Sequence, residues 1–151
     1  MKIFTYAVTG MILLAASGLA LAEDYSRSTD TPVDKREAIR LPPEGRAAIL
    51  VEMRLFLTGV QAITEALAKD DLQAVMVAAK SLGMQAASEV SPELKAMLPK
   101  SFKQLGFKVH GEFDQMAADV ANGGNGKQVL NQLGNTLQKC AACHSAYQLP
   151  Q

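Results

Sequence analysis

The chain has 151 residues, 48% of them hydrophobic and 20% charged, with 15 basic and 15 acidic side chains. That length suits one packed domain with an arm and not two domains. No basic block or stripe is present, which excludes nucleic acid as a partner on charge grounds. The absence of Trp and of β-branched runs, with abundant Ala, Leu, Gln and Met, points to helices and away from strands.

Residues 1–22 read as a secretory signal peptide. Lys2 is the charged start, Ala7 to Ala16 the apolar core, and Ala20-Leu21-Ala22 an A-x-A cleavage site. The apolar core falls short of the ~20 residues that cross a bilayer. Lys2 is the one charged side chain in this stretch, so 14 basic against 15 acidic residues follow it, a formal charge of −1. Residues 23–41 form a polar arm rich in Ser, Thr, Asp and Pro with no apolar period, expected to be mobile or loosely packed. The domain proper is expected over 42–151.

Pro42-Pro43 marks the start of a first helix, where proline costs little. It is expected over 43–69, with Leu50, Met53, Leu57, Val60, Thr64 and Leu67 inward at steps of three or four. Asp70-Asp71 ends it and caps a second helix over 71–89, with Leu72, Val75, Met76, Ala79, Leu82 and Ala86 inward. Ser91-Pro92 closes that helix, 90–98 leaves room for a short extra turn, and Pro99 opens a third helix over 100–122. Its inward residues are Phe102, Leu105, Val109, Phe113, Met116 and Val120. Asn122-Gly123-Gly124-Asn125-Gly126 is a turn, and a fourth helix covers 127–148. Short connections make neighbours antiparallel. The expected fold is all-α, an antiparallel up-down-up-down four-helix bundle.

The fourth helix carries the chemistry. Cys140-Ala141-Ala142-Cys143-His144 is C-x-x-C-H, the attachment signature of c-type haem. Two thiols three residues apart share one helix face, so each can add to one vinyl group of the same porphyrin. His144 follows at once and can ligate the iron. These are the only two cysteines in the chain. Leu130, Leu133, Leu137, Cys140, His144 and Tyr147 step by three and four, which puts the anchors on the expected core face and the haem inside the bundle.

The sixth iron ligand is a choice among few residues. Met thioether often faces His in electron-transfer haems. Met76 and Met116 fall toward the end of the bundle away from the haem, Met97 lies in a connection, and Met84 is off the inward stripe. Met53 lies about 15 Å into the first helix at 1.5 Å per residue, near the level of the iron. It is the candidate distal ligand, with ordinary core packing as its alternative. Leu50, one turn earlier, could cover the iron instead and leave it five-coordinate. His110 is either a second axial ligand or a buried side chain bonded to a neighbour or a propionate. Arg46 and Arg54 could pair with propionates, although solvation is the commoner fate. Without haem, the two cysteines could form a redox disulfide, but a thioredoxin-like site needs strands around C-x-x-C. Zinc would need a fourth ligand beyond His110 or a carboxylate. No catalytic base or substrate pocket stands out, so no enzyme is expected.

On these residues the stretch 42–147 resembles the class II c-type cytochromes, the cytochrome c-prime and c-556 family. The resemblance implies a four-helix bundle with one covalent haem c and its iron, attached in the periplasm. Cys140 and Cys143 would carry the thioethers, and His144 would be the proximal ligand. In c-556-like members a first-helix Met is the distal ligand, matching Met53 in Glu52-Met53-Arg54, which implies electron transfer with periplasmic redox proteins. In c-prime-like members an apolar residue fills that side, and the five-coordinate iron binds NO or CO. Homodimers through the first two helices are frequent in the family. The chain departs from it in two places. Gln148 stands where a base often follows the haem His by four residues, and the connection between the first two helices is short, which shifts the register of the first.

Overall fold

A computed structural model describes residues 33–151. The expected signal peptide and the first part of the arm lie outside the described residues. Arg36–Gln151 forms one compact unit, and it is all-helical apart from one short strand pair. In chain order it comprises β1 (Glu37–Ala38), α1 (Pro43–Ala68), α2 (Leu72–Ser81), α3 (Met84–Ser88), α4 (Pro92–Met97), α5 (Lys100–Ala121), α6 (Gly126–Ala146) and β2 (Tyr147–Gln148).

Local chemistry sets most of these boundaries. Prolines occupy the first turns of α1 and α4, where a missing N–H costs nothing. Asp71, Ser91 and Asn125 each accept a hydrogen bond from the backbone N–H three residues on, at 2.9, 3.2 and 3.0 Å, and so cap α2, α4 and α6. Gly123 turns the chain between α5 and α6 with a left-handed φ of 90°.

The second helix expected over 71–89 is broken in two at Leu82-Gly83, and the cause is tertiary. Two side chains one turn apart on α5 take the backbone groups at the break. His110 Nδ1 donates to Leu82 O at 2.7 Å, and Asp114 Oδ2 accepts from Met84 N at 2.8 Å. The Asp114 carboxylate also occupies the place a Cβ at position 83 would need.

α1 packs on α2, α2 and α3 on α5, and α5 on α6. The α5–α6 contact is antiparallel: Gln132 meets Asp119, Thr136 meets Glu112, and Tyr147 meets Ser101. The main core joins Ile63, Val75, Ala79, Leu82, Val109, Phe113, Met116, Val129 and Leu133. Burying a side chain such as Phe113 contributes about 1.5–3 kcal/mol. A second cluster, of Ile39, Ile49, Leu94 and Leu98, lies where the arm, α1 and α4 meet.

The core face of α1 differs from the expected stripe. Ile49, Gly59, Ile63 and Ala66 are buried. Leu57 is 72% exposed, Thr64 is exposed, and Leu50, Met53, Val60 and Leu67 are half-buried. The expected stripe is thus one shoulder of the helix and not its buried centre. By length and composition alone α1 could cross a membrane, yet it shares the main core with α2 and α5.

The arm also differs from expectation. Glu37 and Ala38 pair in parallel with Tyr147 and Gln148, so the strand content is small but present. This pairing joins segments more than 100 residues apart and leaves no trace in β-propensity.

Candidate functional site

α6 ends at Ala146, two residues before its expected limit, because Tyr147 and Gln148 are drawn into the pairing with β1. Its buried residues are Val129, Leu133 and Thr136. The expected inward stripe needs correction here too. Leu130 is 56% and Leu137 44% exposed, and His144 is exposed. Leu130, Leu137 and His144 are seven apart, so they form one shoulder of α6 beside the buried face.

Cys140 and Cys143 are free, half-buried thiols in the last two turns of the helix. Burial pushes both thiols above their ordinary pKa, and the Glu112 carboxylate pushes Cys140 further the same way. They are therefore neutral thiols near pH 7, unlike the thiolate that a redox-active C-x-x-C presents. The imidazole of His144 makes no hydrogen bond among the described residues, while its backbone carbonyl accepts from Arg36 Nη1 at 3.3 Å. Cys140, Cys143 and His144 do not converge on a point. Among the described residues no three His, Cys, Asp or Glu side chains gather to hold a bare ion.

Across from this shoulder lies α1. Met53 packs against the cluster of Ile39, Ile49, Leu94 and Leu98, and so do Tyr147 and Leu149 beyond the end of α6. Met53 and the C-x-x-C-H turn thus sit at the same end of the fold. α1 comes close to the start of α6 and to the tail beyond its end. Arg46 Nε donates to Leu149 O at 3.2 Å, and a Leu67 methyl lies 3.5 Å from where a Gly126 Cβ would be. Between these ends the two helices do not pack as the other neighbours do. α1 turns Gly59 toward Leu82, and α6 turns Gln132, Thr136 and Lys139 toward Asp119 and Glu112. Helical periodicity therefore leaves Met53, Leu57 and Val60 of α1, and Leu130, Leu137 and His144 of α6, on the side of the gap.

These residues fit a haem joined to α6. Leu57, Leu130 and Leu137 stand exposed, Met53 and Val60 are half-buried beside them, and two neutral thiols and an imidazole follow one another at the end of α6. A planar apolar ring is what such side chains would bury.

His110 lies elsewhere. It is 4% exposed, with its ring 4.8 Å from that of Phe56. Nδ1–H donates to Leu82 O, and Glu52 Oε1 accepts at 3.2 Å from Nε2. Burial alone would lower its pKa, but Glu52 and the backbone carbonyls outweigh that and raise it. Glu112, two residues on, faces α6, and two residues are roughly 200° around a helix. His110 therefore points away from the cysteines, with both nitrogens already engaged. It also lines a groove of about 890 Å³ between α1 and α2–α4, together with Val51, Glu52, Leu55 and Met97. None of the C-x-x-C-H residues lines that groove.

Sequence reasoning missed Arg36 and Ile39, which the fold brings to the end of α6. Their signal is long-range pairing, which no local period carries. No protein-family model, curated protein or solved structure matches this chain.

Proposed function

We propose that the chain is an exported single-haem c-type cytochrome that transfers electrons in the periplasm. One observation carries the reading. C-x-x-C-H closes a helix on which Leu130 and Leu137 stand exposed, and Met53 packs in the same cluster as Tyr147 and Leu149 just beyond that helix. In this reading the helices form an antiparallel up-down-up-down four-helix bundle, with α2 and α3 as its second member and the haem between α1 and α6. Cys140 and Cys143 carry the thioethers, His144 is the proximal ligand and Met53 the distal one. When bound, the haem supplies one-electron iron chemistry, its potential tuned by ligands and burial. The chain's own residues anchor it, orient it and keep water from one face. The partners are other periplasmic redox proteins. A homodimer would cover Val51 and Leu55, which stand 46% and 58% exposed along the α1 groove.

A second reading has its own support. Leu50, one turn before Met53 on the same shoulder, is a half-buried apolar side chain, and if it faces the iron the site is five-coordinate. Such a site would bind NO or CO.

The mass of the exported protein tests the first step, with cleavage after Ala22 and one covalent haem expected. The ferric optical and EPR spectra then divide the readings: low spin supports His144/Met53 ligation, high spin the five-coordinate site. Met53→Leu should convert low spin to high spin. An unchanged low-spin spectrum in that variant removes Met53 as the ligand, and a colourless mature protein removes the haem.

A further inference from the structure

A metal-bound histidine is ordinarily oriented by a hydrogen bond from its other ring nitrogen. The ring of His144 has no such partner among the described residues, so its direction depends on the backbone that bears it. That backbone lies in the last turn of α6, whose carbonyls have no partner further along the helix. Arg36 supplies one from 108 positions away. Its Nη1 donates to His144 O at 3.3 Å and to Tyr147 O at 3.4 Å. A cation there also opposes the negative end of the helix dipole. Ile39 N donates to Gln148 O at 2.9 Å, and Gln148 Nε2 donates back to Arg36 O at 3.0 Å. A two-residue strand pair is marginal alone, and Ile39 anchors this one. It is 4% exposed, in the cluster against which Met53, Tyr147 and Leu149 all pack.

We propose that the strap Arg36–Leu41 positions the haem-bearing end of α6 against α1, with Arg36 and Ile39 as positioning residues that set the axial geometry of the iron. The proposal rests on the cytochrome reading above and assigns the arm a role within it. Arg36 fixes the His144 backbone, and Ile39 ties the tail to the part of α1 that carries Met53. The strap takes no part in attachment, which belongs to the thiols.

The test uses the full chain, exported and matured in a host that attaches haem, with Arg36→Ala, Arg36→Lys, Ile39→Ala and Ile39→Val. Mass spectrometry should give one haem per chain for all of them. Ferric EPR should show a shifted or mixed axial field in Arg36→Ala and Ile39→Ala, with Arg36→Lys and Ile39→Val closer to the parent. Amide exchange over residues 143–148 should quicken roughly fivefold in Arg36→Ala, the factor for one charge-assisted hydrogen bond at an exposed site. If Ile39→Ala does not fold, Arg36→Ala and its lysine rescue decide. A full haem complement with unchanged EPR in the alanine variants overturns the strap alone. No haem on the parent protein overturns the cytochrome reading and the strap with it.

Discussion

Gly83→Ala probes why the second helix is broken. The backbone at Gly83, φ −70° and ψ −169°, is open to alanine, so any cost must come from what the methyl meets. It would collide with Asp114 Oδ1 and lie 2.5 Å from Asp114 Cγ, too close to be absorbed without moving the carboxylate. A displaced Asp114 loses its hydrogen bond from Met84 N at 2.8 Å and its ion pair with Lys80 at 3.0 Å. The Lys80 side chain is 70% exposed, so that pair contributes about 0.5 kcal/mol or less. The bond to Met84 N is charge-assisted and worth about 1.5 kcal/mol at a partly exposed site. Repacking adds about 1 kcal/mol, and the stiffer unfolded chain returns about 0.5–1 kcal/mol. The net loss for Gly83→Ala is about 2 kcal/mol, and Asp114→Ala should lose about the same. Once Asp114 is alanine, the three atoms nearest the methyl at 83 are gone, and Gly83→Ala should become nearly neutral. Urea unfolding of the parent, both single variants and the double variant closes the cycle, with an expected coupling of about 2 kcal/mol. Additive losses would show that the carboxylate does not enforce the break.

Two further outcomes follow from the same region and the main core. Asp114 is held below its ordinary pKa, first by the Met84 N–H and then by Lys80, so its contribution is present above about pH 3.9 and fades as pH falls through its folded value. The pKa of His110 is raised, so its contribution is complete below about pH 6.5 and fades as pH rises through its folded value. Stability measured against pH should therefore decline on both sides of a mildly acidic plateau, and His110→Gln should abolish the His110 part of the alkaline decline while leaving the acid one. Phe113, 1% exposed and stacked on Phe56 at 5.9 Å, should lose about 3–5 kcal/mol on change to alanine, read as an unfolding midpoint shift with the haem complement unchanged.

What the sequence disclosed was local. Pro43 and Pro99, the cap at Asp71 and the glycine turn before α6 act within a few residues, and the starts of α1, α2, α5 and α6 fall within a residue of where they predict, whereas Ser91-Pro92, read as the close of the second helix, opens α4. The inward residues of α5 were legible because this helix is covered on several sides: Val109, Phe113 and Met116 are all buried. For α1 and α6 the same three-and-four spacing selected a shoulder. Leu57, Leu130 and Leu137 are as apolar as core leucines, and a pattern of hydrophobicity cannot separate a surface that packs on protein from one left exposed. The break at Gly83 was hidden because its cause, Asp114, lies 31 residues away. The strap was hidden because Glu37 and Ala38 have no strand-like pattern and are held by partners at the other end of the chain.

The separation of the two clusters gives the haem reading a consequence that does not depend on colour. The main core draws on α1, α2, α5 and the first half of α6, and none of Met53, Cys140, Cys143 or His144 belongs to it. The second cluster joins the strap, the start of α1 and α4, and Met53 and Tyr147 pack against it. A variant with both cysteines changed to alanine cannot form either thioether, so it should keep the main core and lose order at the other end. Leu57, Leu130 and Leu137 would then stay open to water, and a dye that reports exposed apolar surface should bind more strongly than to the haem-loaded protein. Amide exchange should remain slow at Phe113, Met116 and Val129 and become fast over 140–148, where no side chain is buried, since segments with few buried contacts open first. Uniform loss of protection would mean the haem completes a single core and not one end of it. Protection and dye binding equal to the parent would mean that the gap between α1 and α6 holds nothing, and that the uncovered leucines await some other partner.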